Sequence, residues 1–352
     1  MRTILHIGMP KTATTSIQNS LAQAYDELLE RGILYPLIPG HGGNHFFLGT
    51  ATRSEKDLPR AHKQQYTGAA YSQLKTHTQN FMAQIDTLVK AHKPKTLVLS
   101  SEILSQPEQL KSLQKLKSLL KPYIQNLDIV LYVRDPASYY LSATQQLIKA
   151  SSTIIDPYSY HVPYKEIIQS YEEVFGTKVH IVALNKNTLK NQCAVQEFIH
   201  QFLPEIEQDN VVKVINQNES LSAESAYVMQ KFRHHVYAGT DDKFNVESSA
   251  LNGLLRQISP LAGAQKPVLK PAFKKHITTR HKDEINWLKD ERDITFSDEI
   301  YEICDSKKTE KPPENAVLFS DIADVDTEKA DKIAYTIMNL LIQNLLKAQK
   351  KT

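Results

Sequence analysis

Four short apolar runs constrain this chain more than anything else in it: Thr3–Gly8 (TILHIG), Thr96–Ser101 (TLVLSS), Leu127–Val133 (LDIVLYV) and Lys178–Leu184 (KVHIVAL). Each is too short for a helix and nearly continuous in apolar character, so each reads as a strand buried on both faces. Helical spacing fills the intervals. Thr14–Arg31 carries apolar residues at Ile17, Leu21, Ala24, Leu28 and Leu29, with Gly32 as a stop. Ile33–Pro36 reads as a further short strand, and residues 37–68, with Pro39, Gly40, Gly42 and Gly43, as an irregular loop. Helices are expected over Tyr71–His92, Leu110–Leu120, Ala137–Ala150, Pro163–Phe175 and Val195–Phe202. Strands alternating with helices predict an α/β fold in three layers, a central, mostly parallel sheet covered on both sides. Beyond about residue 220 the pattern is mostly helical: Ala223–Val236, Ser248–Gln257, Asp283–Lys289 and Ala330–Ala348.

Composition excludes several classes. With 41% hydrophobic and 23% charged residues over 352 positions, the chain can bury a full core and is not disordered. Forty-two Lys and Arg against 39 Asp and Glu leave a net charge of +3, which argues against a nucleic-acid binder driven by bulk charge but permits a local basic pocket. Cys193 and Cys304 are too few for a disulfide framework or a zinc knuckle. The first apolar run is too short for a signal peptide, and nothing approaches the roughly 18 apolar residues of a transmembrane helix. A soluble, cytoplasmic protein is expected.

The first strand runs into Gly8-Met9-Pro10-Lys11-Thr12-Ala13-Thr14-Thr15-Ser16 and then a helix. A strand-to-helix turn exposes the free amides of a helix N-terminus, which favour an anion together with the helix dipole. Lys11 adds a charge, and Thr12, Thr14, Thr15 and Ser16 add hydroxyls, more than capping alone requires. The spacing is not that of a Walker A loop, G-x-x-x-x-G-K-[ST]: Ala13 and Thr14 stand where the second Gly and the Lys would be. A second anion site is readable after the third long strand, in Arg134-Asp135-Pro136-Ala137-Ser138-Tyr139-Tyr140-Leu141-Ser142. Arg134 falls at a carboxyl strand end, where open α/β sheets bind ligands, and its planar fork suits phosphate. Asp135 before Pro136 also reads as a helix cap, and Tyr139 and Tyr140 as packing residues.

The segment IGMPKTATTSIQ resembles the 5′-phosphosulfate loop, K-[ST]-G-T-[TS], of the sulfotransferase family, and most of all its bacterial branch, which begins H-I-G-x-x-K-T-x-T-T. The resemblance has usable landmarks over about 1–225. It implies a P-loop NTPase-like fold and 3′-phosphoadenosine 5′-phosphosulfate (PAPS) as donor, with no metal required. It places Lys11, Thr12, Ala13, Thr14, Thr15 and Ser16 on the 5′ side of the donor, and Arg134 and Ser142, at the family's spacing, on the 3′-phosphate. Ala13 stands where the family has Gly. Because Ala tolerates positive φ poorly, that position is expected near ordinary helical angles. The expected organisation is a single sulfotransferase-like domain over 1–352, with a nucleotide-binding core over about 1–225 and a helical subregion over about 226–352.

Sulfuryl transfer asks for a cation at the bridging oxygen and a base at the acceptor hydroxyl. Lys11 fits the first role. For the second, Glu102 follows the second long strand, and His45 lies in the Gly42-Gly43-Asn44-His45 loop. His6, inside a strand, reads as a core residue. By analogy with the family the acceptor is a carbohydrate, a glycolipid or another hydroxyl compound. Two softer matches are Asn216–Glu224, which reads better as a helix N-terminus, and the basic run Arg280, His281 and Lys282, which reads as a solvated charged face at least as well as a segment that closes over the nucleotide. The competing readings are a P-loop kinase or NTPase, in which Asp135 imitates a Walker B aspartate, and a non-catalytic nucleotide-binding protein on the same fold.

Overall fold

The apolar runs become one sheet. A computed structural model of the chain describes all residues except 39–41, 59–61, 64–65, 106–109, 186, 216–219, 238–244, 307–311, 313–314 and 350–352. Strands β1 (Arg2–His6), β2 (Ile33–Leu34), β3 (Thr96–Ser100), β4 (Leu127–Val133) and β5 (Val179–Ala183) pair in the order β2-β3-β1-β4-β5, every pairing parallel. The protein is therefore α/β with an all-parallel central sheet. The register sets Leu5 beside Leu99 on one side and Ile129 on the other, and all three are fully buried. Their neighbours in sequence take the opposite face, as a period of two requires. There Ile4, Val98, Val130 and Tyr132 pack with Ile17, Leu21, Leu28, Phe198 and Phe202. Those partners come from α1 (Thr14–Gln23), α2 (Tyr25–Glu30) and the helix Ala194–Phe202.

Several elements depart from the sequence expectation. The helix expected over Thr14–Arg31 is two, because Ala24 leaves helical geometry at φ −90° and ψ 22°. Gly32, at φ 77°, does end the pair. Phe47–Thr50 and Glu55–Asp57 form single turns inside the expected loop. Helices at Pro271–Arg280, Asp298–Asp305 and Phe319–Ile322 are additional to those expected.

The chain divides into two compact units, and the division does not follow one cut near 225. The first unit, Met1–Arg134, Pro163–Asn218 and Asp283–Ser297, contains the sheet. The second comprises Asp135–Val162, Glu219–Lys282 and Asp298–Thr352 and is helical. Its core packs Tyr140, Ile148, Met229, Leu255, Phe273, Ile277, Phe319 and Ile333. Arg233 is buried within it and donates to Ser248 Oγ (2.8 Å) and the Ala150 carbonyl (2.7 Å). Among the described residues no helix is long and apolar enough to cross a membrane.

Candidate active site

The strand order decides which segments can meet. β1 is flanked by β3 and β4, so the segments that leave the carboxyl ends of these three strands are neighbours in the first unit. They are the loop from Gly8 to Ser16, the turn Glu102–Ser105, and Arg134. The chain leaves β1 for β2 on one side and passes from β3 to β4 on the other. That reversal is the place where parallel sheets open a crevice for ligands.

The loop after β1 has an unusual backbone. Lys11 (φ 63°) and Ala13 (φ 66°, ψ 16°) are both left-handed, with Thr12 between them outside that region and Thr14 helical. The expectation that Ala13 lies near helical angles is therefore corrected. An L-residue pays roughly 1–2 kcal/mol for this conformation, and two such residues in three positions is local strain. Alternation between left- and right-handed residues turns successive N–H groups toward a common concavity, the geometry of an anion nest. Ala13 is also the N-cap of α1 and provides no side-chain cap, so the first-turn amides of α1 have no capping acceptor.

The hydroxyls divide by role. Thr12 Oγ1 (2.7 Å) and Thr14 Oγ1 (2.9 Å) both donate to the Met9 carbonyl and are buried. Those protons hold the loop closed, and the Thr12 amide joins them on the Met9 carbonyl (3.3 Å), so of these two residues Thr14 alone has its amide left to donate to an anion. Thr15 is half-buried and Ser16 buried. Gly8 makes the turn possible by having no side chain. A Cβ there would stand 2.7 Å from both His6 Nε2 and Thr14 Oγ1, well inside contact distance.

Arg134 turns toward this loop. Its Nη1 donates to the Lys11 carbonyl over 3.4 Å, and its own carbonyl accepts from the Tyr164 hydroxyl. Glu102 begins the turn after β3. Burial pushes its carboxyl above the ordinary carboxylate range, and the Lys11 ammonium pulls the other way by a smaller amount. Lys11 is thus the shared element: its backbone meets Arg134 and its charge reaches Glu102.

His45 is placed elsewhere in function. It is fully buried, and Nδ1 accepts from the Ser100 amide (2.9 Å), so Nε2 carries the proton and donates to the Pro36 carbonyl (2.6 Å). Burial lowers its pKa to about 4. Both ring nitrogens are consumed in tying the loop to β3, which leaves no base for an acceptor, and the role expected for His45 is corrected on that ground. His6 is a core residue as expected: Nδ1 lies 2.9 Å from Ser100 Oγ, burial lowers its pKa to about 3, and Nε2 has no partner.

Sequence reasoning missed the polar cluster beneath the loop. Gln18 Nε2 donates to Ser100 Oγ (3.1 Å), and the Tyr35 hydroxyl donates to the Gly43 carbonyl. A Cβ at Gly43 would stand 2.4 Å from the Gln18 carbonyl, so the Gly-Gly-Asn-His run was the available signal: a backbone that must pass close by.

The remaining candidates lie in the second unit, apart from the first three residues of Asn216–Glu224. Ser142 is buried on the helix Pro136–Ile148, whose N-cap is Asp135, accepting from the Ser138 amide (2.9 Å). Arg134 and Ser142 thus fall in different units. Tyr140 packs as expected, its hydroxyl donating to the Ile155 carbonyl (2.7 Å). Of the basic run, His281 is buried with Nε2 accepting from Val162 N–H (3.0 Å) and Nδ1 donating to the Ile277 carbonyl (2.7 Å), and Lys282 donates to the Cys304 carbonyl (2.8 Å). These bonds are structural, and they correct the expectation that His281 and Lys282 close over a nucleotide. Within Asn216–Glu224, residues 216–219 lie outside the described residues, while Ser222 caps the helix Ala223–Val236 through the Ser225 amide (3.0 Å).

Comparison of the chain with models of known protein families, with curated proteins and with solved structures gives no match.

Proposed function

We propose that this protein transfers a sulfuryl group from PAPS to a hydroxyl of an acceptor, a carbohydrate or glycolipid by the resemblance its first loop carries. The observation that supports this best is the convergence on Lys11: a strained, nest-like loop, an arginine from the next strand end and a carboxylate with a raised pKa from the strand end on the other side. In this reading the amides of residues 13–16 take the 5′-phosphate, and Arg134 takes the 3′-phosphate. Glu102 removes the proton as the acceptor oxygen attacks sulfur. The bond from sulfur to the bridging oxygen breaks, Lys11 stabilises the charge that develops on that oxygen, and adenosine 3′,5′-bisphosphate leaves. A carboxylate with a raised pKa is a stronger base near neutral pH than an ordinary one. The kinase reading is weakened by Asp135, whose carboxylate caps a helix.

The test is release of adenosine 3′,5′-bisphosphate from PAPS in the presence of a panel of sugar and glycolipid hydroxyls. Glu102→Gln is expected to lower kcat by roughly 10²–10⁴-fold, the usual worth of a general base, while bisphosphate binding is retained. The wild-type rate should fall with decreasing pH through a midpoint above that of a free glutamate, since only the ionised carboxylate accepts the proton. An unchanged kcat in Glu102→Gln would remove the base from this mechanism.

A further inference from the structure

The helix Thr327–Gln349 changes character along its length. Its first half is anchored in the second unit by Ala330, Ile333 and Ile337, all buried. From Met338 on every described residue is exposed, yet the sequence there is MNLLIQNLLKAQ. Tyr335, Met338, Leu341, Ile342, Leu345 and Leu346 follow helical spacing and fall in one stripe. Tyr335 and Leu345 are 66% and 65% exposed, so the stripe is an uncovered apolar face rather than scattered surface residues.

The charges say what covers it. The acidic residues of this helix, Glu328 and Asp331, lie in its first half, while residues 332–352 carry Lys332, Lys347, Lys350 and Lys351 and no Asp or Glu. In helical projection Lys332 and Asn339 lie at the edge of the stripe, and Gln343 and Lys347 on the side away from it, where the exposed Leu340 also falls. An apolar stripe with lysines on the polar side complements an anionic lipid surface, where each lysine near the surface is worth about 1 kcal/mol. A helix pair fits less well. The stripe spans fewer than the three to four heptads that sustain a coiled coil, and Asn339, Gln343 and Asn344 flank it without charges to pair across an interface.

We propose that the outer half of this helix docks in the plane of an anionic phospholipid surface, with Met338, Leu341, Ile342 and Leu345 entering the acyl boundary and Lys332 and Lys347 at the headgroups. The test is co-sedimentation of the full chain with vesicles of phosphatidylglycerol mixed with phosphatidylcholine, against phosphatidylcholine alone, together with sedimentation velocity without lipid. Binding is expected only to the anionic vesicles and should weaken as salt is raised. The pair Leu341→Asn and Leu345→Asn should reduce it at least about tenfold, as should Lys347→Gln, Lys350→Gln and Lys351→Gln together. Because Leu341, Leu345 and Lys347 are exposed, thermal unfolding of both variants should match wild type. No binding to anionic vesicles at low salt would overturn the proposal. So would a concentration-dependent dimer that the leucine substitutions abolish, since that would make the face an interface between copies.

Discussion

Ala13 carries backbone strain that its sequence context did not lead one to expect. A methyl group disfavours φ 66°, so the local argument pointed to helical angles, but the loop needs a left-handed residue where it hands over to α1. Ala13→Gly is accordingly expected to stabilise the fold by about 1 kcal/mol, because the native backbone is one that glycine adopts without penalty. Thr15→Gly, two residues on within α1, should instead destabilise it by a similar amount. Urea unfolding of the two variants reads the difference. If Ala13→Gly were destabilising to the same degree as Thr15→Gly, the left-handed backbone at position 13 would be contradicted. Lys11, Glu102 and Arg134 were legible in the sequence because each falls at or just beyond the end of an apolar run. The duties of the Thr12 and Thr14 hydroxyls were not, since a hydroxyl in a loop carries no mark of whether it faces a ligand or the Met9 carbonyl.

At the scale of elements, the buried strands were the most readable part. β4 occupies the whole run Leu127–Val133, and β5 lies within Lys178–Leu184, because a short, nearly continuous apolar stretch broken only by Asp128 or His180 admits little else. The helix Pro271–Arg280 (PAFKKHITTR) was not readable, since Lys, His and Thr fill most of its positions and only Phe273, Ile277 and Thr278 are buried. His45 was misread for a related reason: a histidine after two glycines looks like a loop ligand until the bonds to Ser100 and Pro36 are seen. Burial of this ring and of His6 has a consequence for stability. The pKa values of His6 and His45 fall from 6.5 to about 3 and about 4 in the fold, so the unfolded chain binds protons there that the folded chain refuses. A folded pKa below the unfolded one gives stability that is present above about pH 6.5 and is lost as the pH falls toward 4. Each ring costs about 1.4 kcal/mol per pH unit across that window. In His45→Gln the pH slope of the unfolding free energy between pH 6 and about 4.5 should shrink by about one proton, whatever the variant's absolute stability. An identical slope would mean that His45 already titrates freely in the folded protein.

Across the whole molecule, an α/β class and a parallel sheet followed from the alternation of periods in the sequence, whereas the division into units did not. A helix such as Pro136–Ile148 has the same local signal whether it joins the sheet or a helical core, and only the tertiary cluster of Ala137, Tyr140 and Ile148 with Met229 and Phe273 assigns it to the second unit. The functional reading rests on the first unit, where one sheet brings three strand ends together around Lys11. Its central claim is that this arrangement grips a doubly phosphorylated adenosine, and titration calorimetry with adenosine 3′,5′-bisphosphate tests it most directly. The account predicts that the bisphosphate binds wild type at least about tenfold more tightly than AMP does, and that Arg134→Ala, by removing a charge-assisted contact of about 1.5–3 kcal/mol, erases that preference while AMP binding persists. Equal affinity for the two nucleotides in wild type, or a preference untouched by Arg134→Ala, would contradict it.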